Sequence, residues 1–188
     1  PDTISTFQVQ HACAGGTVAM LGISALLALA PERKESGLVV SSDIARYAAP
    51  STAEITQGSG AVSLLVENDP KLISFDLATQ GLCSRDVDDF FRPNGSVIAK
   101  VKGGYSIQCY NDALDTAFMD HCRRRGEDPK QVLTETDLFV LHVPFKMMAM
   151  SALERLVTNT LGISSEEAQR FMGARGFEQS LEPTTRIG

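Results

Sequence analysis

The segment spanning residues 10–17, Gln-His-Ala-Cys-Ala-Gly-Gly-Thr, places the tightest constraint on how this chain folds. Alternating residues 4–9 precede it and the apolar stretch 18–30 follows it, which predicts a strand, a tight turn and a buried helix. Cys13 then lies at the helix start, where free N–H groups and partial positive charge favour a thiolate, and the two glycines allow a backbone or a ligand to approach. The alternative is that Cys13 is simply a small buried residue.

Short apolar runs alternate with amphipathic stretches along the rest of the chain. Further strands are predicted at residues 37–42, 61–66, 72–77 and 137–142, and further helices at 106–118 (capped by Ser106), 147–161 and 164–173 (capped by Ser164). This alternation predicts an α/β fold with both sheet faces covered. The irregular stretch 79–104 is long enough to predict a functional loop, either a cover or a substrate wall.

Composition excludes several classes of protein. A net charge of -6 argues against a nucleic-acid partner, which needs a basic surface. The 4 cysteines form no CxxC pair, which argues against a zinc site or a disulfide scaffold and favours the reduced cytoplasm. The longest apolar run is too short to span a membrane, and no signal peptide is visible. We therefore expect no metal, no membrane anchor and no nucleic acid.

His142 is the histidine best placed for chemistry, because it ends a predicted buried strand. In open α/β sheets the carboxyl ends of the strands are where ligands bind. A structural role is the alternative for His142. His121 lies near a charged helix end, and His11 lies two residues from Cys13 on the predicted strand, so both are weaker candidates.

Five separated motifs follow one another along most of the chain: His-Ala-Cys-Ala-Gly-Gly-Thr (11–17), Ser-Asp-Ile-Ala-Arg-Tyr (42–47) with Thr-Gln-Gly-Ser-Gly-Ala-Val (56–62), Asp-Phe-Phe-Arg-Pro (89–93), Tyr-Ser-Ile-Gln-Cys-Tyr (105–110) and Leu-His-Val-Pro-Phe (141–145). In this order they resemble the hydroxymethylglutaryl-CoA synthase family of the thiolase superfamily. The resemblance implies a thiolase-like α/β fold of layered helices and mixed sheets, with only part of the duplicated fold present. Residues 1–66 are expected to end its first half, which carries the nucleophile, and residues 67–188 to begin its second half, which carries the histidine.

The resemblance also implies a mechanism. Cys13 takes an acetyl group from acetyl-CoA, a glutamate removes a methyl proton, and the enolate attacks the ketone of acetoacetyl-CoA to give a hydroxymethylglutaryl thioester. His142 is expected to steady charge on the ketone oxygen, and Ser51, Thr56 and Ser106 to line the substrate site. The substrates are coenzyme A or phosphopantetheine thioesters, with no other cofactor. The protein is expected to be a cytoplasmic homodimer acting in lipid metabolism, in the mevalonate pathway or in polyketide biosynthesis.

The departures from the family pattern leave alternatives open. The family's glutamate precedes the cysteine by more residues than this chain has, so we expect an internal portion of the enzyme that alone is poorly soluble and inactive. Met147 and Ser151 stand at positions where the family carries CoA-facing lysines, which suits relatives that condense acyl groups on carrier proteins during polyketide β-branching. Ala-Cys-Ala-Gly also resembles type III ketoacyl synthases, and a non-catalytic partner subunit on the same fold is a further alternative.

Overall fold

The computed structural model describes residues 3–175, which fold into five helices and two strands joined by loops and short 3-10 turns. The helices are α1 (Gly15–Ala28), α2 (Gly103–Arg125), α3 (Pro129–Glu135), α4 (Lys146–Leu161) and α5 (Ser165–Gly173), and the strands are β1 (Ser36–Ala45) and β2 (Gly58–Glu67). Two compact units result, Pro1–Arg46 with Gln57–Ala78 and Tyr47–Thr56 with Thr79–Gly188. The division into thiolase-like halves at residue 66 stays a prediction.

The first unit is built from α1 and an antiparallel pair of strands, in which Ser36 lies opposite Glu67 and Ala45 opposite Gly58. One face of β1 meets the helix. Val39 on that face is buried, and a Cβ added to Gly37 would come within 2.1 Å of the Ile23 side chain of α1. Glycine is therefore required at position 37 for this close approach.

The other face of the sheet is open in the described structure. Leu38, Val40 and Leu65 are each more than half exposed there, so the prediction that these strands are buried on both faces is wrong for residues 3–175. Leu27 is the buried residue of α1, so the prediction of a buried first helix is wrong as well for the described residues. Runs of apolar residues predict strands and helices, but they do not specify what covers each face.

The second unit packs around α4. Apolar residues recur on α4 at helical spacing and join others from α3 and α5 in one buried cluster, formed by Leu133, Ala149, Leu153, Leu156, Val157, Ala168 and Met172. Leu114 and Phe118 of α2 pack against this cluster. The predicted cap of α5 is confirmed, since Ser164 and Glu167 form a reciprocal capping box.

Three predicted strands are absent, at residues 4–9, 72–77 and 137–142. A strand needs a hydrogen-bonded neighbour, and in the described part of the chain none of these stretches pairs with another strand. In residues 137–142, however, core-facing and exposed side chains still alternate. Phe139 and Leu141 pack on the core of the second unit, whereas Leu138, Val140 and His142 are exposed.

Candidate active site

Cys13 lies in the first unit, in a 3-10 turn (Ala12–Ala14) that leads directly into α1. Its side chain is exposed. Ala12 just before it has a φ of 42°, in the left-handed region that residues with a Cβ rarely adopt. Strain of this kind costs on the order of 1–3 kcal/mol and collects at functional sites. The turn is closed by the N–H of Ala14, which donates to the carbonyl of His11 at 3.0 Å.

The glycines after Cys13 have a structural use that the sequence did not specify. A Cβ on Gly16 would lie 2.7 Å from the Oγ of Ser41 on β1, whereas one on Gly15 would make an ordinary contact, 3.8 Å from the carbonyl oxygen of Val9. The start of α1 therefore lies close to strand β1 at Gly16. His11 is exposed beside this turn.

His142 lies in the second unit, in a stretch without regular secondary structure just before α4, where a buried strand was predicted. Its side chain is exposed, yet neighbouring atoms crowd the ring, and this partial desolvation lowers the pKa of His142 below its usual 6.5. The neutral imidazole is thereby favoured at physiological pH. The Tyr110 hydroxyl donates to the backbone carbonyl of His142 at 2.6 Å, and the two rings stack with centroids 6.5 Å apart.

Ser106 lies inside α2, so the prediction that it caps this helix is wrong. The helix begins at Gly103, with Lys102 as its N-cap residue. The Ser106 hydroxyl instead donates to an oxygen of Asp89 at 3.3 Å. The other oxygen of Asp89 is buried and has no hydrogen-bond partner among the described residues. Ser106 therefore orders the motif that contains Asp89.

Ser51 and Thr56 belong to a short segment of the second unit. The Thr56 hydroxyl donates to the carbonyl of the buried Ala53 at 2.7 Å, and the carbonyl of Ser51 accepts from the N–H of Glu54 at 3.2 Å. Both candidates thus help to form the 3-10 turn Glu54–Thr56. In the described structure the Thr56 hydroxyl therefore has a structural hydrogen-bond partner within this turn.

Helix α2 connects the candidates of the second unit. Gly103 at its start lies close to Thr52, next in sequence to Ser51, since a Cβ there would be 3.6 Å from the threonine Oγ1. Ser106 and Tyr110 follow four residues apart, which places both on one side of the helix. Cys13 belongs to the other unit.

Two residues in these contacts received no role from the sequence. Asp89 and Tyr110 both stand within the quoted motifs, but a tyrosine on an apolar helical stripe is typical of a core position. The available signals were the position of each residue inside a motif and, for Asp89, an acidic residue directly before Phe90 and Phe91. Neither signal identifies the partner, because Ser106 is 17 residues from Asp89 and His142 is 32 residues from Tyr110.

His121 has a structural partner. Its Nδ1–H donates to the carbonyl of Thr79 at 2.6 Å, and the neighbouring Asp120 accepts from the N–H of Leu82 at 3.0 Å. Arg123 and Arg124 also donate to Asp120, and these hydrogen bonds hold the pKa of that carboxyl well below its usual range. This part of α2 therefore fastens residues 79–82 to the helix.

Between residues 3 and 175, no three histidine, cysteine or acidic side chains are grouped so that they could hold a metal ion. None of the helices in that range combines the length and apolar character needed to cross a bilayer.

The model of the family described as hydroxymethylglutaryl-coenzyme A synthase C terminal matches residues 73–180, more than half of the chain. The chain belongs to the hydroxymethylglutaryl-CoA synthase family. A synthase of that name from Enterococcus faecalis is 30% identical over 183 residues, covering 97% of this chain and 45% of the relative. The chain thus spans less than half the length of this family member.

Two solved structures match the fold of this chain over less than half of their own length. The structure of MvaS in complex with 3-hydroxy-3-methylglutaryl coenzyme A matches with a TM-score of 0.76 and 35% identity, covering 93% of this chain and 44% of that one. The synthase of the curacin biosynthetic pathway, in complex with a holo donor-ACP, matches with a TM-score of 0.78 and 28% identity, covering 90% and 41%. The predicted partial thiolase-like α/β fold is confirmed.

Proposed function

We propose that the protein carrying this chain is an acyl-thioester condensing enzyme of the hydroxymethylglutaryl-CoA synthase type. It transfers an acetyl group to Cys13 and condenses it with a 3-ketoacyl thioester, acetoacetyl-CoA in the simplest case, to give a 3-hydroxy-3-methylglutaryl thioester. The proposal extends to a cytoplasmic homodimer and to thioesters of coenzyme A or phosphopantetheine as substrates, with no further cofactor.

The observation that carries this proposal is the setting of Cys13. Its exposed thiol stands on a strained turn at the entrance to α1. An accessible, fixed sulfur is what acyl capture requires, because the thiolate must reach the carbonyl carbon of a bound thioester. Family membership supports this assignment, since the relatives are named for the same condensation.

The proposed reaction has three steps. The Cys13 thiolate attacks the acetyl carbonyl, a C–S bond to Cys13 forms, and the donor thiol leaves. A base, which we propose to lie upstream of Cys13, takes a methyl proton, and the resulting enolate carbon bonds to the ketone carbon of the acceptor. The ketone oxygen becomes an alkoxide and takes up one proton in return to give the 3-hydroxyl. Water then hydrolyses the Cys13 thioester, which leaves a free carboxylate on the product and restores the thiol.

His142 is proposed to hydrogen-bond the acceptor's ketone oxygen and to stabilise the alkoxide that forms there. Hydrogen-bond donors aimed at a developing oxyanion typically contribute a factor of about 10²–10³ in rate. Its exposure and its lowered pKa support this role, because a neutral imidazole remains available as a donor through one ring nitrogen. Ser51, Thr56 and Ser106 are proposed to line the same substrate site.

The identity of the thioester carrier divides the proposal into two candidates. Exposed Met147 and Ser151 lie on α4 at the positions where the resemblance expects lysines facing coenzyme A. Neither side chain carries a positive charge, so the phosphates of free coenzyme A are attracted less strongly there than they would be by lysines. This favours acyl groups that are delivered on a carrier protein. The curacin synthase, solved with a donor-ACP, is similar to this chain and supports the same candidate.

Mass spectrometry of the acylated protein tests the catalytic assignment. Incubation with acetyl-CoA or acetyl-carrier protein should add one acetyl group to the peptide that contains Cys13, and Cys13→Ser should lose most of this label because serine is a weaker nucleophile. His142→Ala should still become acetylated while condensation falls by about 10²–10³. Label on Cys109, or undiminished condensation in His142→Ala, would contradict the assignment, and absence of any label would favour a non-catalytic partner subunit.

A further inference from the structure

Tyr110 touches His142 in two ways. Its hydroxyl donates to the backbone carbonyl of His142 at 2.6 Å, and its ring lies 6.5 Å from the imidazole, centroid to centroid, with 30° between the two planes. The hydrogen bond fixes the peptide plane of His142, and the stacking restricts rotation of its side chain. Together the two contacts act on both the position and the orientation of the imidazole.

Within residues 3–175 no strand pairs with the backbone around His142, and the Tyr110 hydroxyl supplies a hydrogen bond to it. Residues 136–143 form no regular secondary structure. Phe139 and Leu141 anchor this stretch to the core from one side, while His142 projects from the other and is exposed. Tyr110 supplies support on the exposed side.

Tyr110 is suited to this task by its place in α2. It is the eighth residue of a helix of 23 residues whose Leu114 and Phe118 pack on the core, so its own backbone is held firmly. Burial raises the pKa of the Tyr110 hydroxyl, which therefore stays protonated and able to donate.

We propose that Tyr110 is a positioning residue for His142, holding the imidazole where it meets the acceptor's ketone oxygen during condensation. This inference rests on the proposed function of His142. Tyr110 itself touches no reacting atom and acts through the histidine. Acyl capture by Cys13 does not require it.

The test uses Tyr110→Phe, which keeps the ring and loses the hydrogen bond, and Tyr110→Leu, which loses both contacts. In the protein that carries this chain, turnover in condensation should fall about tenfold for Tyr110→Phe. It should fall on the order of a hundredfold for Tyr110→Leu, because a displacement of about 1 Å costs on the order of a hundredfold in rate. Acetylation of Cys13 should stay at the wild-type rate in both. Tyr105→Phe is the matched control on the same helix and should leave both steps unchanged.

A double-mutant cycle separates positioning from general stability. In a His142→Ala background, Tyr110→Leu should cause no further loss of turnover, because the group that it positions is already gone. Equal, additive losses in both backgrounds, or a parallel loss of Cys13 acetylation, would overturn the proposal. Wild-type turnover in Tyr110→Phe would also overturn it, whether or not Tyr110→Leu folds.

The same measurements keep this inference apart from the proposed function. If His142→Ala condenses at the wild-type rate, the role of His142 fails and this inference fails with it. If His142→Ala loses condensation while the Tyr110 variants do not, the proposed function stands and only the role of Tyr110 is wrong.

Discussion

Gly81 lies close against the backbone of helix α2. A Cβ at this position would lie 2.0 Å from the carbonyl oxygen of Ala117 and 2.8 Å from the backbone nitrogen of His121, both in α2. Neither atom can move without distorting the helix. The hydrogen bonds of Thr79 and Leu82 to α2 depend on this approach.

We therefore predict that Gly81→Ala lowers the free energy of unfolding by about 1–3 kcal/mol, as overpacking in a rigid setting does. Gly104→Ala in the first turn of α2 is the control, since a Cβ there meets nothing within 4 Å. It should leave stability unchanged or raise it slightly, because alanine favours a helix. Urea unfolding followed by circular dichroism measures both, and equal stability of the two variants would contradict the prediction.

At the scale of the element, α5 owes its start to a charge-dependent cap. The N–H and the hydroxyl of Ser164 both donate to the Glu167 carboxylate, at 2.9 and 2.7 Å, and these hydrogen bonds lower the pKa of Glu167. A carboxyl with a depressed folded-state pKa adds stability above its unfolded pKa, and that stability is lost as pH falls through the folded value.

Helix α5 should accordingly become less stable in acid, starting as the pH drops below about 4.5. Glu167→Gln should flatten this part of the pH dependence, whereas Glu166→Gln, which removes only an exposed pair with Arg170, should preserve it. The measurement is the change in the urea unfolding midpoint between about pH 7 and about pH 3.5, compared among the wild type and the two variants. If the urea midpoint of Glu167→Gln depended on pH as steeply as that of the wild type, the prediction that this cap titrates would be wrong.

At the scale of the whole molecule, the open face of the sheet decides how the isolated chain behaves. Leu38 and Leu65 are cross-strand neighbours on this face and are 64% and 65% exposed. Exposed apolar faces with unpaired strand edges promote association. We predict that the 188-residue chain produced alone self-associates and that Leu38→Lys reduces this association.

The matched control adds the same charge without removing apolar surface. Ser42→Lys lies on the same face of β1 and should leave self-association nearly unchanged. Light scattering at several protein concentrations measures the difference between the two variants. Equal effects of both would assign the association to net charge instead of to the apolar face.

The sequence was most informative where structure is local. The strands at β1 and β2, the helix α4 and the Ser164 cap follow from periodicity and capping chemistry within a few residues. The stretch 137–142 shows the limit, because its alternation is present but no strand within residues 3–175 pairs with it. Cys13 could be placed at a helix start, but the strain at Ala12 depends on backbone angles that no pattern encodes.

The four-residue spacing of Ser106 and Tyr110 on α2 has a consequence for how related sequences can differ. An inserted or deleted residue between them would turn one relative to the other by about 100° and shift it by about 1.5 Å along the helix. Either Asp89 would then lose its hydrogen bond from Ser106, or His142 would lose its hydrogen bond from Tyr110. The number of residues between Ser106 and Tyr110 is therefore fixed, and we expect insertions and deletions to be excluded from this single turn of helix.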